Sequence, residues 1–338
     1  MLITFLITAA LSAALIFLLI ENAGSLGLVA VPNERSAHKE ITPCGAGIAF
    51  ISAFFIGAAI HSWSIYSNYF LTSLAAMLIF IFGIYDDLQQ SSSRTKFLII
   101  IIATLMVFIE GLQIESIGSY FGKEVDLFWL SFPVTLVAIV GFTNALNLTD
   151  GLDGLAGSIS LIILSGLNYI GYLHHDAFIL ATSSGLFPAL VAFLMFNWNP
   201  AKVFMGDSGS LTLGFIIAVL SIKALEYIDP VSILFIAAIP ILDTVTVMVR
   251  RKLSGHSMVK ADKNHLHHIV LNNFNGNVRR TVLLIGGIQL AFTLFGILVA
   301  SQLGQEITLP LFFICLFVFY FVTEKIRRGY DHSFSGSA

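Results

Sequence analysis

Charged side chains are scarce in this sequence, and their scarcity defines the class of protein. Only 11% of the 338 residues are Asp, Glu, Lys or Arg, and 57% are hydrophobic. Soluble domains carry about 25% charged residues. The net charge of −3 gives no reason to expect a nucleic-acid partner. The composition predicts an all-α polytopic integral membrane protein and argues against a soluble enzyme with an anchor.

Several motifs are missing as well, and each absence argues against a class of chemistry. Cysteine occurs only as Cys44 and Cys315, far apart in sequence, which gives neither a disulfide framework nor a Cys-based metal site. The chain has no glycine-rich Walker loop, Gly-x-Ser-x-Gly elbow or His-Glu-x-x-His pair, which disfavours ATP hydrolysis, acyl transfer and zinc proteolysis. The N-terminus lacks a basic n-region and a cleavage site, so its apolar run is predicted to be a retained span.

Apolar runs of membrane-spanning length recur along the whole chain. A span needs about 20 mostly apolar residues, and eleven segments are predicted within one integral membrane domain, residues 1–338. Their approximate bounds are 2–20, 44–62, 69–85, 97–110, 129–143, 155–173, 177–196, 209–224, 230–249, 281–302 and 307–324. One connection, 111–128, alternates in polarity as a small β-hairpin does.

The positions of Lys and Arg predict the orientation of these spans. If the N-terminus lies outside, 15 of the 17 Lys and Arg residues fall in inner connections, and only Lys123 and Lys223 fall outside. The C-terminus is then cytoplasmic. The predicted cytoplasmic loops are 21–43, 86–96, 144–154, 197–208 and 250–280.

The densest polar cluster is the stretch Asn144–Gly157, which lies between two apolar runs. It carries the carboxylates Asp150 and Asp153, the amides Asn144 and Asn147, and three glycines that let the backbone approach a ligand closely. Such a density of polar groups beside membrane spans predicts a functional site. A polar turn that joins two helices is the alternative interpretation.

The other dense polar motifs fall on the same predicted side of the membrane. They are Asp86-Asp87 with Lys96, the segment Phe204–Leu211 and the segment His265–His268. The outer connections hold nothing comparable. A lipid or sugar transporter would place its ionisable groups along a midplane path, often with inverted repeats. The one-sided arrangement therefore favours an enzyme that takes a soluble substrate from the cytoplasm.

Carboxylates beside His and Lys at a membrane surface suggest a divalent metal ion and phosphates. Mg²⁺ prefers oxygen ligands, typically one or two carboxylates plus substrate phosphate oxygens. Asp207 directly precedes an apolar run and is predicted near a helix start, where backbone N–H groups favour anions; a plain helix N-cap is the alternative. The His segment with Lys263 is interpreted as donors to a pyrophosphate, with a solvated loop as the alternative. A Zn²⁺ site would usually add Cys or a distant His.

These motifs together resemble those of the polyprenyl-phosphate N-acetylhexosamine-1-phosphate transferases, glycosyltransferase family 4. The most specific are Asn-Ala-x-Asn-Leu-x-Asp-Gly-x-Asp-Gly-Leu-Ala at Asn144–Ala156 and Phe-Met-Gly-Asp-x-Gly-Ser-Leu at Phe204–Leu211. The Asp pair with its Lys and the His segment agree with them, and the motifs come in family order from Pro32 to His268.

The resemblance implies two substrates, a UDP-N-acetylhexosamine and undecaprenyl phosphate, and two products, undecaprenyl-diphospho-sugar and UMP. It also implies Mg²⁺, with Mn²⁺ as a substitute, a homodimer, and a location in the bacterial cytoplasmic (inner) membrane. By motif position, the implied metal ligands are Asp207 and Asn147, and the implied nucleotide contacts are Asn197, Asp150, Gly151, Asp153 and Phe204. The implied pyrophosphate and sugar contacts are His265, His267, His268 and Lys39. The implied catalytic residues are Asp207 and, on the lipid-phosphate side, Asp86, Asp87 and Lys96.

The branch of the family follows from the form of the His motif. The stretch Asp262–His268 resembles the WecA/TagO branch, whereas the peptidoglycan translocase branch has three consecutive His after an Ala-Pro pair. GlcNAc-1-phosphate transfer, a first membrane step of cell-envelope glycan synthesis, is thus favoured over phospho-MurNAc-pentapeptide transfer. UDP-FucNAc and UDP-QuiNAc stay open as donors, as do direct in-line attack and a covalent aspartyl intermediate.

Overall fold

The structure is a computed structural model that describes residues 2–32, 40–255 and 265–335. It is mainly helical, because a backbone in lipid must satisfy its own hydrogen bonds. The helices are α1 (Leu2–Leu26), α2 (Ala46–His61), α3 (Trp63–Asn68), α4 (Phe70–Gln89), α5 (Ser93–Ile109), α6 (Ser131–Thr149), α7 (Leu155–His174), α8 (Ala177–Asn197), α9 (Asp207–Ala224), α10 (Pro230–Ile236), α11 (Ala238–Leu253), α12 (Leu266–Asn273), α13 (Val278–Phe295), α14 (Ser301–Leu303) and α15 (Gln305–Ser335).

Two short antiparallel strand pairs accompany the helices. Strand β1 (Val29–Ala30) pairs with β2 (Thr42–Pro43), and β3 (Ser116–Tyr120) pairs with β4 (Lys123–Asp126). The second pair confirms the β-hairpin predicted between residues 111 and 128.

Eight helices in the described part of the chain are long and apolar enough to cross a membrane. The bent pair α10–α11 makes a ninth if it is counted as one span. Each of the eleven predicted segments falls on a helix or on this pair, but α2 has only 16 residues and α5 only 17. The all-α polytopic architecture is confirmed, and the count of eleven stays a prediction.

The ninth predicted span, 230–249, is not one straight helix, because α10 and α11 meet at an angle of 89°. Pro240 has no N–H and cannot donate to the carbonyl of Ile236, which would otherwise continue the helix. That carbonyl instead accepts from Gln289 Nε2 at 2.7 Å and from Thr293 Oγ1 at 3.0 Å. Gln289 Oε1 accepts the N–H of Ile239 at 2.9 Å. Two side chains of α13 therefore satisfy the backbone groups that the break exposes.

Helix α9 lies at the centre of the bundle. Every residue after Asp207 in this helix is buried, as expected for a helix without a polar face. Helices α2 and α4 reach its first turn through Gly47 and Gly83. A Cβ at Gly47 would overlap the backbone of Gly209, and a Cβ at Gly83 would overlap that of Ser208. These close approaches fix the start of α9 against both neighbours.

Several motifs predicted as loops are the polar ends of helices. Asp86 and Asp87 lie in the last turn of α4, and Asn144 and Asn147 lie in the last two turns of α6. The apolar run marks only the lipid-buried part of a helix, whereas its backbone hydrogen bonds continue into the polar turn. In α4 the helix ends only where Gln90 adopts a positive φ of 51°.

Lys223, one of the two cations predicted outside, is buried at the far end of α9 from Asp207. Its Nζ lies 2.6 Å from Glu226 Oε2 and 3.6 Å from Asp176 Oδ2. Tyr227 donates its hydroxyl to the same Asp176 oxygen at 2.8 Å. This lysine is therefore neutralised by neighbouring carboxylates, which explains its departure from the charge pattern of the other connections.

Candidate active site

Four helices bring one carboxylate, one ammonium and one amide into contact around the first residue of α9. Asp207 Oδ2 lies 2.7 Å from Lys96 Nζ of α5, and Asp207 Oδ1 accepts from Asn147 Nδ2 of α6 at 2.6 Å. The same Lys96 Nζ lies 3.1 Å from Asp86 Oδ2 of α4. The motifs predicted for the metal ligands, the lipid phosphate and catalysis therefore meet at this point. Lys96 and Asp207, which are in contact, lie 111 residues apart in the sequence.

The two adjacent aspartates of α4, Asp86 and Asp87, contact different groups. Both oxygens of Asp87 accept backbone N–H groups, from Asp207 at 2.6 Å and from Ser208 at 3.1 Å. A carboxylate at this place caps the start of α9 and complements its dipole. Asp86 points instead to Lys96, and its second oxygen accepts the N–H of Ser91 at 2.7 Å. The sequence groups the pair as catalytic; in the structure Asp87 contacts the backbone at the start of α9 and Asp86 contacts Lys96, and the catalytic role of each stays a prediction.

Asp150 lies between α6 and α7, outside the helices and half-buried. Burial raises the pKa of its carboxyl to about 7, and the negative charges of Asp207, Asp87 and Asp153 add to the effect. The part of this pKa shift that comes from the neighbouring acids marks a local excess of negative charge. A bound cation would relieve that excess.

The His segment packs directly on this junction. A Cβ at Gly151 would overlap the ring of His267, so only glycine allows α12 to approach so closely. The ring of His267 lies parallel to that of His265, with centroids 5.9 Å apart, and 4.2 Å from the centroid of His268. Burial, with His268 and His265 beside it, holds the pKa of His267 well below its usual value. His267 is therefore neutral at neutral pH.

Asn197 and Asp153 hold a loop in place. Asn197 is 3% exposed. Its Oδ1 accepts the N–H of Gly154 and its Nδ2 donates to the carbonyl of Val203, both at 2.8 Å. Asp153 Oδ2 accepts from Asn199 Nδ2 at 2.9 Å and from the N–H of Ala201 at 3.0 Å. The structure thus ties these two predicted nucleotide contacts to the segment that leads into Phe204.

Phe204 is fixed by its backbone and keeps a half-buried ring. Its N–H donates to the carbonyl of Pro43 at 2.8 Å, and its carbonyl accepts from the N–H of Ala46 at 3.0 Å. The stacking role predicted for this ring stays a prediction. Lys39, the remaining predicted contact, lies outside the described residues.

The oxygen donors at Asp207 fit a magnesium ion. Within the described ranges no group of three or more His, Cys, Asp and Glu converges on one point. Mg²⁺ does not need such a cage, because it keeps several waters and takes one or two carboxylates plus substrate phosphates. Asp207 would supply the carboxylate. Asn147 supplies an amide whose oxygen would face a cation, since the orientation of an amide follows its partners.

One site residue was missed by the sequence reasoning. Asp243 lies within the apolar run 230–249 and is 5% exposed. Its Oδ2 lies 2.8 Å from His265 Nδ1, and its Oδ1 accepts the N–H of Leu266 at 2.7 Å. The signal that could have found it is a lone carboxylate inside an apolar segment, which is costly unless it is paired.

Comparisons with known proteins show the family of this chain. The family model described as glycosyl transferase family 4 matches residues 69–225, which run from α4 to the end of α9 and contain the Asp207 contacts. The chain is 35% identical over 304 residues to the probable undecaprenyl-phosphate N-acetylglucosaminyl 1-phosphate transferase of Bacillus subtilis (strain 168), which covers 87% of this chain and 83% of the relative.

Two further relatives carry the name undecaprenyl-phosphate alpha-N-acetylglucosaminyl 1-phosphate transferase. The protein of Salmonella typhi is 31% identical over 268 residues, 76% of this chain and 72% of its own. The protein of Escherichia coli (strain K12) is 29% identical over 259 residues, 74% of this chain and 70% of its own. The chain belongs to glycosyl transferase family 4, and the resemblance inferred from its motifs is confirmed.

Proposed function

We propose that this protein is a phosphotransferase that moves GlcNAc-1-phosphate from UDP-GlcNAc to undecaprenyl phosphate and releases UMP. The observation that carries the proposal is the meeting of Asp207, Asn147, Lys96 and Asp86 from four separate helices. An acid, an amide and a cation at a helix start are groups that hold a metal ion and phosphates. The names of the relatives supply the donor and the acceptor.

Mg²⁺ is the proposed cofactor, with Mn²⁺ as a substitute. Asp207 and Asn147 are the residues that would hold it. The negative charges of the neighbouring acids, which add to the effect of burial on the pKa of Asp150, support a cation there. Such an ion would supply positive charge to the phosphoryl group that is transferred. The cap that Asp87 places on the start of α9 keeps Asp207 directed to this point.

The acceptor phosphate is assigned to Lys96. Its ammonium is held between Asp86 and Asp207, so it is already ordered before a phosphate arrives. A phosphate monoester has a second pKa near 6 and is largely dianionic at pH 7, so its oxygen needs no strong base. We propose that this oxygen attacks the sugar-bearing phosphorus in line, while the bond to the bridging oxygen breaks and UMP leaves.

A covalent aspartyl intermediate is the alternative mechanism. Asp87 is a poor nucleophile for it, because both of its oxygens accept backbone N–H groups. That leaves Asp86 or Asp207, each of which is paired with Lys96. The direct attack requires none of these carboxylates to lose its partner, and it is the mechanism we favour.

The donor nucleotide is assigned to the junction of α6 and α7. Asp150 and Gly151 lie there beside His267, and Asn197 and Asp153 hold the adjoining loop. The histidines of α12 would face the diphosphate of the donor. Asn197 would then contribute by shaping the nucleotide site, since both of its polar atoms are engaged within the protein.

The proposed topology has eleven spans, the N-terminus outside and the C-terminus inside. The distribution of Lys and Arg supports it, and the neutralised Lys223 removes one of the two exceptions. The site would then face the cytoplasm, where a UDP-sugar is available, and the membrane would be the bacterial inner membrane. The homodimer implied by the resemblance stays a prediction.

A substrate panel tests the proposed function. Purified protein is given undecaprenyl phosphate and Mg²⁺ with UDP-GlcNAc, UDP-MurNAc-pentapeptide or UDP-QuiNAc in separate reactions, and UMP release is followed. Release from UDP-GlcNAc alone is expected. Release from the pentapeptide alone would keep the chemistry and overturn the branch, and release from none, with folded protein, would overturn the function.

A further inference from the structure

Both carboxylate oxygens of Asp243 are engaged in contacts that none of the sequence motifs explains. One carboxylate oxygen lies 2.8 Å from His265 Nδ1, and the other accepts the N–H of Leu266 at 2.7 Å. Asp243 and His265 are both buried. The carboxylate comes from α11, beyond the bend at Ala237, and reaches the first residue of α12. A single buried side chain therefore joins these two helices.

The contact to Leu266 by itself is a helix cap. His265 occupies the N-cap position of α12 but makes no capping hydrogen bond with its own side chain. Asp243 satisfies one of the orphan N–H groups instead, much as Asp87 does for α9. The contact to the imidazole ring is additional, because a cap needs only one carboxylate oxygen.

The ring contact decides which nitrogen of His265 carries a proton. A carboxylate only accepts hydrogen bonds, so Nδ1 must be the N–H that faces Asp243. Nε2 is then the ring atom left for other partners. The diphosphate of a donor presents only acceptor oxygens, so it requires a proton at Nε2 as well. The carboxylate balances the charge of the ring in that bound form.

The rings of α12 connect this pair to the rest of the site. His265 lies parallel to His267 at 5.9 Å, and His267 lies against Gly151 at the junction of α6 and α7. A shift of the His265 ring would therefore shift the groups that border the nucleotide. The contacts therefore run from Asp243 through His265 and His267 to Gly151, and Asp243 holds the ring that lies furthest from the junction of α6 and α7.

We propose that Asp243 is a positioning residue for phosphate recognition, which holds the Nδ1–H of His265 and orients the ring so that an Nε2–H faces the diphosphate of the donor. This inference rests on the proposed function, because it assigns His265 to the donor side. It predicts that loss of Asp243 weakens binding of the sugar donor and leaves binding of the lipid acceptor unchanged.

The test variant is Asp243→Asn. Its Oδ1 can still accept the N–H of Leu266, so the cap is kept, but its Nδ2 would face His265 and require a lone pair on Nδ1. The proton of the ring then moves to Nε2, and the charge balance is lost. Loss of such a carboxylate partner costs about 10–100-fold where the His binds a metal ion, and we take the same range for a His that binds a diphosphate. We expect KM for UDP-GlcNAc to rise by about that factor, with KM for undecaprenyl phosphate unchanged.

A double-mutant cycle with His265→Ala separates positioning from a structural role. The double variant should lose no more donor affinity than His265→Ala alone, because Asp243 acts through that ring. Asp176→Asn is the matched control, since Asp176 is also a buried capping carboxylate, which accepts the N–H of Ile179 at 2.7 Å. It should lower Tm without changing KM for the donor. Additive losses in the cycle, or an unchanged donor KM in Asp243→Asn, would overturn the proposal.

Histidine ¹⁵N NMR of the purified protein provides a readout that does not depend on turnover. The His265 signal, assigned by its loss in His265→Ala, should show the proton on Nδ1 in the wild type and on Nε2 in Asp243→Asn. The same protonated nitrogen in both proteins would overturn the inference. If the two proteins differ in this way but the wild type turns over no UDP-sugar, the proposed function fails while the pairing of Asp243 with His265 stands.

Discussion

At the scale of single residues, Asp207 connects functional groups from three other helices. Its carboxylate contacts Lys96 and Asn147, and its N–H is capped by Asp87. Asp207 pairs with a lysine and is the proposed metal ligand, so its replacement by a neutral amide would remove a negative charge from both contacts.

Asp207→Asn should therefore abolish turnover, with a loss of at least about 1,000-fold in kcat. The fold should persist, because Asn has the same shape and Lys96 keeps its contact with Asp86. UMP release and thermal unfolding of the purified variant check both statements. Asp126→Asn, at an exposed carboxylate of β4, is the control and should keep full activity. A fully active Asp207→Asn protein would remove the metal role assigned here.

Asp150 gives a prediction on stability and pH. Its folded pKa of about 7 lies above the ordinary value of 3.8, so the folded state disfavours the ionised form. The resulting loss in the free energy of unfolding is absent below about pH 4, grows between the two pKa values and is complete above about pH 7. Asp150→Asn removes the charge and should raise the Tm of the ligand-free protein at pH 8 but not at pH 4.

The expected gain at pH 8 is roughly 1–2 kcal/mol, less than the full shift implies because the side chain is only half-buried. Thermal unfolding of both proteins at the two pH values, without Mg²⁺, measures it. Equal Tm differences at pH 4 and pH 8 would show that the effect is not electrostatic.

At the scale of helices, the start of α9 is placed by direct backbone contact with α4. Gly83→Ala would put a methyl group into the backbone of Ser208 and push Asp207 away from Lys96. We expect both a lower Tm and a loss of turnover of about 100-fold, since a displacement of 1 Å can cost that much. Gly141→Ala, at a helical glycine of α6 with open space around it, should leave activity unchanged and gain slightly in stability. Activity retained by Gly83→Ala would contradict this packing.

The bend between α10 and α11 gives a second prediction at this scale. Gln289→Leu would leave the Ile239 N–H without its acceptor and the Ile236 carbonyl with Thr293 as its remaining partner. A buried polar group without a partner costs about 1–3 kcal/mol. The variant should unfold at a clearly lower temperature than Gln302→Leu, a control at an exposed position. Equal stability of the two variants would show that the bend does not depend on Gln289.

At the scale of the whole molecule, much of the site could be predicted from the sequence. Spacing and residue type were enough to name Asp207, Asn147, Lys96 and Asp86, which the structure brings together. Charged residues next to membrane spans indicate a site, because burying a charge near the lipid costs free energy and such residues are rare unless they have a function.

The rest depends on contacts that no local pattern records. Asp87 and Asn197 look like ligand contacts in sequence but have their polar atoms engaged by distant backbone groups. Asp243 was missed because hydropathy averages a lone acid into its apolar surroundings. The bend after α10 was missed because its backbone partners lie on Gln289 and Thr293, about 50 residues further along the chain.

The central claim is that this protein exchanges one pyrophosphate linkage for another. The reaction should then be nearly thermoneutral and run in both directions. The most direct measurement supplies purified protein and Mg²⁺ with labelled UMP and undecaprenyl-diphospho-GlcNAc, and follows label into UDP-GlcNAc. The account predicts label in UDP-GlcNAc with the wild type and none with Asp207→Asn. No label with the folded wild type, in the presence of the lipid product, would contradict it.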